Sequence, residues 1–522
     1  MTRTAALIFC LAPIVYAAPS CESLSTLTLP HTSIAIAELR PAGDFSAPGA
    51  GTLHNLPAFC RIAGSIKPSE DSDIRFEVWL PATGWNGKFQ GVGNGGFAGE
   101  ISFGGLADAV KHSYASASTD TGHEAGGADA RWALHHPQKI VDYGYRAIHE
   151  TAIAAKLVIE HFYGQAPRWS YFNSCSNGGR QALMEAQRYP ADYNGIVAGA
   201  PANRWTHLLA TAAWNMLATL NTPADYIPAS KLPAIQAAAL AACDTIDRVK
   251  DGVIEDPRQC HFDLAPLLCK GAESATCLTA PQLAALQKLY AGSKNSKGQQ
   301  IFPGYSPGGE ADPAGWTPWI TGFAPEKSAM FAFGTQFFKN MVFDNPDWQF
   351  RTFDLDRDTK AADDKMAPIL NSTDPDLSAF RKRGGKLIVY HGWADAAIAP
   401  QNAIDYVDSV SAKMGAQDVD GFLRLYMVPG MQHCGGGSGV TSFGGGTPYG
   451  DRFHDVDAAL EAWVEQGLAP SQIVATKYKN AADPASGVVR TRPLCPYPAV
   501  ASWKGSGSTD DAANFACVAP AK

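Results

Sequence analysis

The chain has 522 residues, with 42 Lys and Arg against 50 Asp and Glu, and a formal net charge of −8 at pH 7. Because the charges are spread along the chain without basic clusters, the composition argues against a nucleic-acid-binding protein. Beyond the N-terminus no apolar run reaches 18 residues, so no membrane partner is expected.

Residues 1–17 have the features of a cleaved secretory signal peptide. Arg3 precedes the apolar stretch AALIFCLAPIV, and Val15-Tyr16-Ala17 fits a small-residue cleavage site. The alternative is an N-terminal helix, but the run is too short to cross a bilayer. Loss of Cys10 with this segment leaves ten of the 11 cysteines, an even number that suits an oxidising compartment. We therefore expect a secreted or periplasmic protein.

The remaining chain indicates an α/β fold with a large insertion. Strand-like runs are predicted at 75–80, 87–92 and 114–118, a long helical pattern at 139–163, and two strand–loop units after residue 385. These segments predict the two halves of one parallel sheet covered by helices. The stretch 203–375 lies between them, is rich in Ala, Pro and Gly, and lacks strand alternation. We expect a catalytic domain built from 18–202 and 376–522, with 203–375 inserted as a lid.

A nucleophile elbow is predicted around Ser176. Residues 168–190 read RWSYFNSCSNGGRQALMEAQRYP, which is a short strand, a Gly-rich turn and a helix. The usual G-x-S-x-G pattern is changed, because Ser174 stands where the first glycine would be. Gly178 and Gly179 still supply the small residues that let strand and helix approach closely.

The acid and the base are predicted on the two later strand–loop units. KLIVYHGWADAAIAP (386–400) carries Asp395 after its strand, and FLRLYMVPGMQHCGGG (422–437) carries His433 in the loop that follows. The order Ser176, Asp395, His433 is that of α/β-hydrolases. Asp405 and Asp408 are alternative acids, although both fall in a predicted helix after Pro400.

Two backbone N–H groups are needed to stabilise the negative charge that develops on the substrate oxygen. Asn177, directly after the nucleophile, offers one. The second is expected from the loop Gly93-Asn94-Gly95-Gly96 after the strand at 87–92, with Gly96 preferred to Gly95. The alternative for this loop is a flexible surface turn.

An acidic segment inside the predicted lid is a candidate cation site. Asp244, Asp247 and Asp251 lie within eight residues of one another, and Gly252 follows. Hard cations such as calcium take six to eight oxygen ligands. The segment is not an EF-hand, because Arg258 occupies the position of the bidentate Glu. On spacing alone, an acidic surface turn is the simpler interpretation.

The cysteines lie where they could organise a site. A bond between Cys175 and Cys434 would hold their Cα atoms roughly 4.4–6.8 Å apart, which would make Ser176 and His433 near neighbours. Short spacing favours three other pairs, Cys243–Cys260, Cys269–Cys277 and Cys495–Cys517.

With these motifs in order, the chain resembles the tannase and feruloyl esterase family. The resemblance rests on WNGKFQGVGNGGFAG (85–99), STDTGH (118–123), FNSCSNGGR, FDNPDWQFRTFD (343–354), HGWAD and PGMQHC. It implies a serine esterase of α/β-hydrolase fold with a lid, and no organic cofactor. The family pattern implies Cys21–Cys60 and Cys175–Cys434 as well as the three short pairs. It also implies structural calcium in the lid, held by the side chains of Asp244, Asp247 and Asp251 and the carbonyls of Val249 and Val253.

The resemblance sets the expected substrates. Members of the family hydrolyse esters of aromatic acids, so we expect a small or polysaccharide-linked feruloyl or hydroxycinnamoyl ester. A galloyl ester or a terephthalate monoester is the alternative. A different class, a non-catalytic calcium-dependent binding protein on a hydrolase scaffold, predicts loss of one of the three catalytic residues. No oligomeric state is indicated.

Other conspicuous residues have weaker interpretations. His123 and His391 are expected to be structural. Trp348 and Phe350 in the lid, and Ile398 after Asp395, are candidates for contact with the aromatic acyl group.

Overall fold

The structure is a computed structural model that describes residues 20–445, 450–481 and 483–519. The predicted signal segment 1–17 lies outside the described residues. The strands are β1 (Thr32–Arg40), β2 (Gly43–Ala47), β3 (Gly51–Leu56), β4 (Phe59–Ile66), β5 (Ile74–Pro81), β6 (Lys88–Val92), β7 (Ala115–Thr119), β8 (Trp169–Cys175), β9 (Gly195–Gly199), β10 (Ser293–Lys294), β11 (Gln300–Phe302), β12 (Lys386–Gly392), β13 (Leu423–Val428), β14 (Ile473–Asn480), β15 (Asp483–Leu494), β16 (Val500–Trp503) and β17 (Phe515–Val518).

The α-helices surround the strands and fill the segment between β9 and β12. They are α1 (Phe103–Lys111), α2 (Pro137–Val141), α3 (Ala147–Tyr163), α4 (Asn177–Arg188), α5 (Trp205–Leu220), α6 (Leu232–Cys243), α7 (Ala280–Ala291), α8 (Ala329–Phe337), α9 (Leu355–Leu370), α10 (Ser378–Lys382), α11 (Gln401–Met414), α12 (Ala416–Asp420) and α13 (Val456–Gln466). A π-helical turn, Asp142–Arg146, joins α2 to α3. None of the described helices is long and apolar enough to cross a membrane.

A nine-stranded sheet organises the molecule, in the order β1-β4-β5-β7-β6-β8-β9-β12-β13. From β7 to β13 neighbouring strands are parallel, as the sequence predicts. The expectation that the strand at 75–80 belongs to the parallel part is wrong, because β5 pairs antiparallel with both β7 and β4, and β1 pairs antiparallel with β4. The connection from β4 to β5 is too short for a crossover helix, and antiparallel strands are the ones that short connections can join.

Helices cover both faces of this sheet, which gives the predicted α/β-hydrolase architecture. Apolar residues of α3, α4 and α11 pack with the sheet in one core, whereas α13 packs on the other face against β8, β9 and β12. Helix α1 packs on β5 in a smaller core. Parallel strands buried on both faces explain the continuous apolar runs in the sequence.

The segment 203–375 contributes no strand to the nine-stranded sheet, and its core is largely helical. Helix α5 packs against α7, α8 and α9, and their apolar side chains share a core with Ala396–Ala399 of the loop after β12. The segment therefore lies over the carboxyl end of β12, where an α/β sheet carries its ligand site. The exact boundaries 203 and 375 stay a prediction.

Five disulfides join the cysteines in the pairs that the resemblance implies. They are Cys21–Cys60, Cys175–Cys434, Cys243–Cys260, Cys269–Cys277 and Cys495–Cys517. Disulfides persist in oxidising compartments, so this arrangement is compatible with an extracellular location.

Candidate active site

Ser176 lies at a sharp turn between β8 and α4. Its backbone has φ 68° and ψ −124°, a conformation that non-glycine residues rarely adopt and that functional sites often contain. A Cβ atom at Gly178 would lie 1.9 Å from Ser174 Oγ, and one at Gly179 would lie 2.3 Å from the carbonyl oxygen of Gly199. The two glycines are therefore required for the close approach of α4 to the sheet, which raises the serine hydroxyl above the strand end.

The structure brings Ser176, Asp395 and His433 together in one hydrogen-bonded series. His433 Nε2 lies 2.8 Å from Ser176 Oγ, and His433 Nδ1 lies 2.8 Å from Asp395 Oδ2. The three residues come from the ends of β8, β12 and β13. Because these parallel strands end at the same edge of the sheet, residues more than 200 positions apart in sequence become neighbours.

Asp395 is held as an ionised carboxylate. Its Oδ1 accepts hydrogen bonds from the backbone N–H groups of Ala397 (2.8 Å) and Ile398 (2.9 Å). Burial would raise the pKa of this carboxyl, but the charges of His433 and His391 and their hydrogen bonds hold the pKa well below its ordinary value. An ionised Asp395 that accepts from His433 Nδ1 fixes the orientation of the His433 ring.

His391, which the sequence indicates as structural, is a second support for Asp395. Its Nε2 lies 3.0 Å from the carbonyl oxygen of Ile398 and 3.1 Å from Asp395 Oδ2, and its side chain is fully buried. The alternative acids, Asp405 and Asp408, lie exposed on α11. His123 is also structural, since its ring stacks on Trp132 at 3.7 Å and burial lowers its pKa to about 4.

The disulfide Cys175–Cys434 joins the neighbours of the nucleophile and the base. The two Cα atoms are 5.9 Å apart across 259 positions of sequence. The covalent link therefore limits how far the His433 loop can move from the turn that carries Ser176.

Two backbone N–H groups near Ser176 make no hydrogen bond within the described part of the chain. Those of Asn177 and Gly96 donate to no residue that the structure describes, and Gly96 lines the same cavity as Ser176. Gly95 is exposed and does not line it. A side chain at position 96 is excluded, because φ is +55° and a Cβ atom would lie 2.1 Å from the carbonyl oxygen of Gly127.

A buried network that the sequence does not predict ties these two positions together. The Tyr143 hydroxyl lies 3.0 Å both from the carbonyl oxygen of Gly96 and from Asn177 Oδ1. Arg180 Nε donates to Asn177 Oδ1 at 2.7 Å, and Asn177 Nδ2 donates to the carbonyl oxygen of Asn94 at 3.2 Å. These hydrogen bonds fix the position of the loop at 93–96 relative to the start of α4.

Arg180 is an unusual buried cation. Its Nη atoms donate to the carbonyl oxygens of Tyr143, Gly144 and Leu370, and its guanidinium lies over the rings of Tyr143 and Trp205. No carboxylate among the described residues pairs with it, and burial lowers its pKa. The FNSCSNGGR motif contained this residue, but its contacts depend on the π-helical turn at 142–146, for which the sequence carried no signal.

An apolar cavity of about 70 Å³ opens beside Ser176 and His433. Besides those two residues, it is lined by Gly96, Ala202, Trp205, Leu208, Leu209, Ala212, Trp319, Met330, Phe333, Ala397 and Ile398. The Trp319 ring also contacts the His433 ring in a T-shaped arrangement, with centroids 4.8 Å apart. Ile398 lines the cavity as predicted. Trp348 and Phe350 do not, because they pack into the helical core against Phe338 and Phe331.

The acidic segment of the lid forms a closed loop between Cys243 and Cys260. Asp244 Oδ1 accepts hydrogen bonds from the backbone N–H groups of Asp251 (3.1 Å) and Gly252 (3.0 Å). Asp251 Oδ2 contacts Arg490 at 2.9 Å and Arg492 at 2.6 Å. The loop therefore also anchors the lid to β15.

Comparisons with known proteins agree with this geometry. The model of a family described as "Tannase and feruloyl esterase" matches residues 60–518. The chain belongs to the tannase and feruloyl esterase family. An uncharacterized esterase of Xanthomonas campestris pv. campestris is 46% identical over 99% of this chain and 94% of its own length. The mono(2-hydroxyethyl) terephthalate hydrolase of Piscinibacter sakaiensis is 33% identical over 91% of this chain and 87% of its own length.

A solved structure shows the same fold. Feruloyl esterase B from Aspergillus oryzae superimposes with a TM-score of 0.87 at 29% identity, over 95% of this chain and 99% of that one. The chain is therefore an α/β-hydrolase-type carboxylic ester hydrolase. The alternative of a non-catalytic binding protein predicts loss of one of the three residues, yet Ser176, Asp395 and His433 are all present and hydrogen-bonded.

Proposed function

We propose that this chain is a secreted serine esterase that hydrolyses esters of aromatic acids, principally feruloyl and related hydroxycinnamoyl esters, through an acyl-enzyme. One observation carries the proposal: the hydrogen-bonded series Ser176, His433 and Asp395 lies at the wall of an apolar cavity. The predicted signal segment and the five disulfides support secretion.

The mechanism follows from the contacts of the three residues. Ser176 Oγ attacks the ester carbonyl while His433 Nε2, 2.8 Å away, accepts its proton. His433 then protonates the departing alcohol, and in the second half-reaction it activates the water that releases the acid. Asp395 stabilises the imidazolium at each stage. The N–H groups of Asn177 and Gly96 are the proposed donors to the oxyanion.

The cavity favours one acyl class over the two alternatives. Burying a polar group without a hydrogen-bond partner costs roughly 1–3 kcal/mol in proteins. A galloyl group carries three hydroxyls, and a terephthalate monoester carries a free carboxylate, yet no charged side chain lines this cavity. A feruloyl ring has a single hydroxyl. The indole N–H of Trp205, which has no partner among the described residues, is a candidate donor to one substrate oxygen.

We also propose structural calcium in the lid, held by Asp244, Asp247, Asp251 and the carbonyls of Val249 and Val253. The donor set fits a hard cation, since all five residues offer oxygen. Asp244 and Asp247 each use one carboxylate oxygen for backbone N–H groups, and the second accepts no hydrogen bond from a described residue.

The charge of the loop supports a bound cation. Burial raises the pKa of Asp247, and it raises the pKa of the neighbouring Glu255 to about 8, although Arg492 lies close. A divalent cation would neutralise these carboxylates and stabilise the loop. The loop differs from a preformed site in one respect. Asp251 Oδ2 already accepts hydrogen bonds from two arginines, so this oxygen would be shared between the arginines and the ion.

Initial rates on a panel of esters test the substrate proposal. We expect methyl ferulate to be hydrolysed faster than both methyl gallate and mono(2-hydroxyethyl) terephthalate. Methyl cinnamate, which has no ring hydroxyl, should match or exceed methyl ferulate if the apolar lining sets specificity. A preference for the gallate ester would contradict the argument.

A Ser176→Ala variant is the control for the mechanism. Triads of this kind lose on the order of 10⁶ in rate when the serine is removed. The variant should keep the wild-type melting temperature, because only one hydroxyl at a turn is lost. A variant that retained a tenth of the wild-type rate would show that Ser176 is not the nucleophile.

A further inference from the structure

A second cluster of side chains that could bind a metal ion lies around the C-terminal end of α4, away from Ser176. His149 is on α3, Glu185 is on α4, and Asp192 is in the loop between α4 and β9. One ligand atom from each lies within 4.8 Å of the other two. His149 Nδ1 is 2.6 Å from Asp192 Oδ2.

We propose that His149, Glu185 and Asp192 bind a divalent transition-metal ion of the zinc class. One imidazole nitrogen and two carboxylate oxygens are a ligand set that such ions accept, at distances of about 2.0–2.2 Å. Ligands of one ion are then separated by roughly 3–4 Å, which agrees with the spacing of the cluster. Calcium prefers oxygen ligands only, so the histidine distinguishes this site from the lid loop.

The carboxylate of Glu185 is the observation that points to a ligand. Its side chain is 1% exposed, and neither carboxylate oxygen has a hydrogen-bond partner among the described residues. Buried carboxylates are normally paired or coordinate a metal. A proton shared between Glu185 and Asp192 would satisfy only one of the two Glu185 oxygens, whereas an ion between the three residues could engage both.

The surroundings hold the cluster in place and leave it accessible. The His149 ring stacks on Tyr189, with centroids 3.7 Å apart and planes 7° apart, so its orientation is fixed. The side chain of His149 is 24% exposed, which gives an ion an entry path. Lys156 is the nearby cation, and its Nζ donates to the backbone carbonyl of Asp192 rather than to a carboxylate.

The site would join three parts of the catalytic domain without taking part in catalysis. Glu185 is nine positions after Ser176 along α4, a separation of about 13 Å at 1.5 Å per residue. An ion there would stabilise the packing of α3, α4 and the loop that leads into β9. We therefore expect a change in stability and none in the turnover of a small activated ester.

Zinc and cobalt titrations of the full-length protein test the proposal. The protein is first treated with a chelator and then kept in saturating calcium, so that the lid loop does not contribute. We expect Zn²⁺ to raise the melting temperature, and one equivalent of Co²⁺ to give a visible d–d absorption band. Both signals should be absent from Glu185→Gln and from His149→Ala.

A matched control comes from the same helix. His161 is an exposed histidine on α3, so His161→Asn should keep the zinc and cobalt responses of the wild type. A wild type without a Co²⁺ band, or a Glu185→Gln variant that responds as the wild type does, would overturn the proposal. If the wild type does not respond to metal and Glu185→Gln is more stable than the wild type, Glu185 and Asp192 share a proton and the cluster holds no ion.

Discussion

Removal of the Tyr143 hydroxyl tests whether the proposed oxyanion donors, the N–H groups of Gly96 and Asn177, must be held in a fixed position relative to each other. Tyr143→Phe keeps the fully buried ring and deletes the one group that lies 3.0 Å from both the Gly96 carbonyl and Asn177 Oδ1. Asn177 Oδ1 keeps its hydrogen bond from Arg180 at 2.7 Å. The Gly96 carbonyl has no other donor among the described residues.

The expected effect is therefore moderate and mainly catalytic. A buried hydrogen bond contributes about 1 kcal/mol to stability, and an unsatisfied carbonyl adds a cost of similar size. Loss of an oxyanion donor lowers kcat by about 10²–10³. Because this change only loosens the loop that presents such a donor, we expect about a tenfold fall in kcat with little change in KM.

Steady-state kinetics on methyl ferulate and thermal melts measure the two effects separately. Tyr163→Phe is the matched control, because its hydroxyl donates to the carbonyl of Pro81 at 2.8 Å, far from Ser176. That variant should lose similar stability and keep kcat. If Tyr143→Phe turns over substrate as fast as Tyr163→Phe does, the hydroxyl does not position the oxyanion site.

Three further predictions concern the disulfide, the lid loop and a buried acid. Replacing Cys175 and Cys434 together with alanine should lower the free energy of unfolding by roughly 2–4 kcal/mol and reduce kcat, as melts and kinetics can measure; a free Cys175 in the mature protein would contradict this. Chelation of calcium, or Asp247→Ala, should lower the melting temperature but spare p-nitrophenyl acetate turnover, and a protein without calcium by metal analysis would refute the site. Burial raises the pKa of Asp120 to about 7, so its ionisation destabilises the fold as pH rises from about 4 to 7. Asp120→Asn should gain stability over the wild type by at most about 4 kcal/mol across that range, and parallel melting curves against pH would exclude this.

The sequence predicted the residues at strand ends because each has a local signal. A buried strand followed by a turn indicates where a side chain is presented at the edge of a parallel sheet, and Ser176, Asp395 and His433 all follow such strands. The adjacent cysteines added a distance constraint between two of them. The parallel pairing from β7 onward was predicted from the same buried strands, whereas the order of the strands in the sheet was not.

Residues whose role depends on packing between distant segments could not be predicted in this way. Trp348 and Phe350 look as suitable for substrate contact as Trp319 does, since all three are aromatic residues in the lid. Which of them faces the cavity depends on the local backbone: Trp319 lies in a π-helical turn, which shifts the direction of its side chain, whereas Trp348 lies in a non-helical stretch. The same reason explains why Tyr143, in another π-helical turn, was missed.

The loop that carries His433 is held by the lid as well as by the sheet, so in the proposed mechanism the lid also helps to position the base. Gln432 Nε2 donates to the carbonyl of Gly309 at 2.8 Å, and the backbone N–H of Ser438 donates to Asp312 Oδ2 at 3.1 Å. The disulfide at Cys434 also ties the loop to the turn that carries Ser176. These contacts make the position of His433 depend on an intact lid. Since small misplacement of a base can lower the rate about a hundredfold, we expect their loss to slow the reaction. Exchanging lids between members of this family to transfer specificity therefore requires that these two lid contacts are kept.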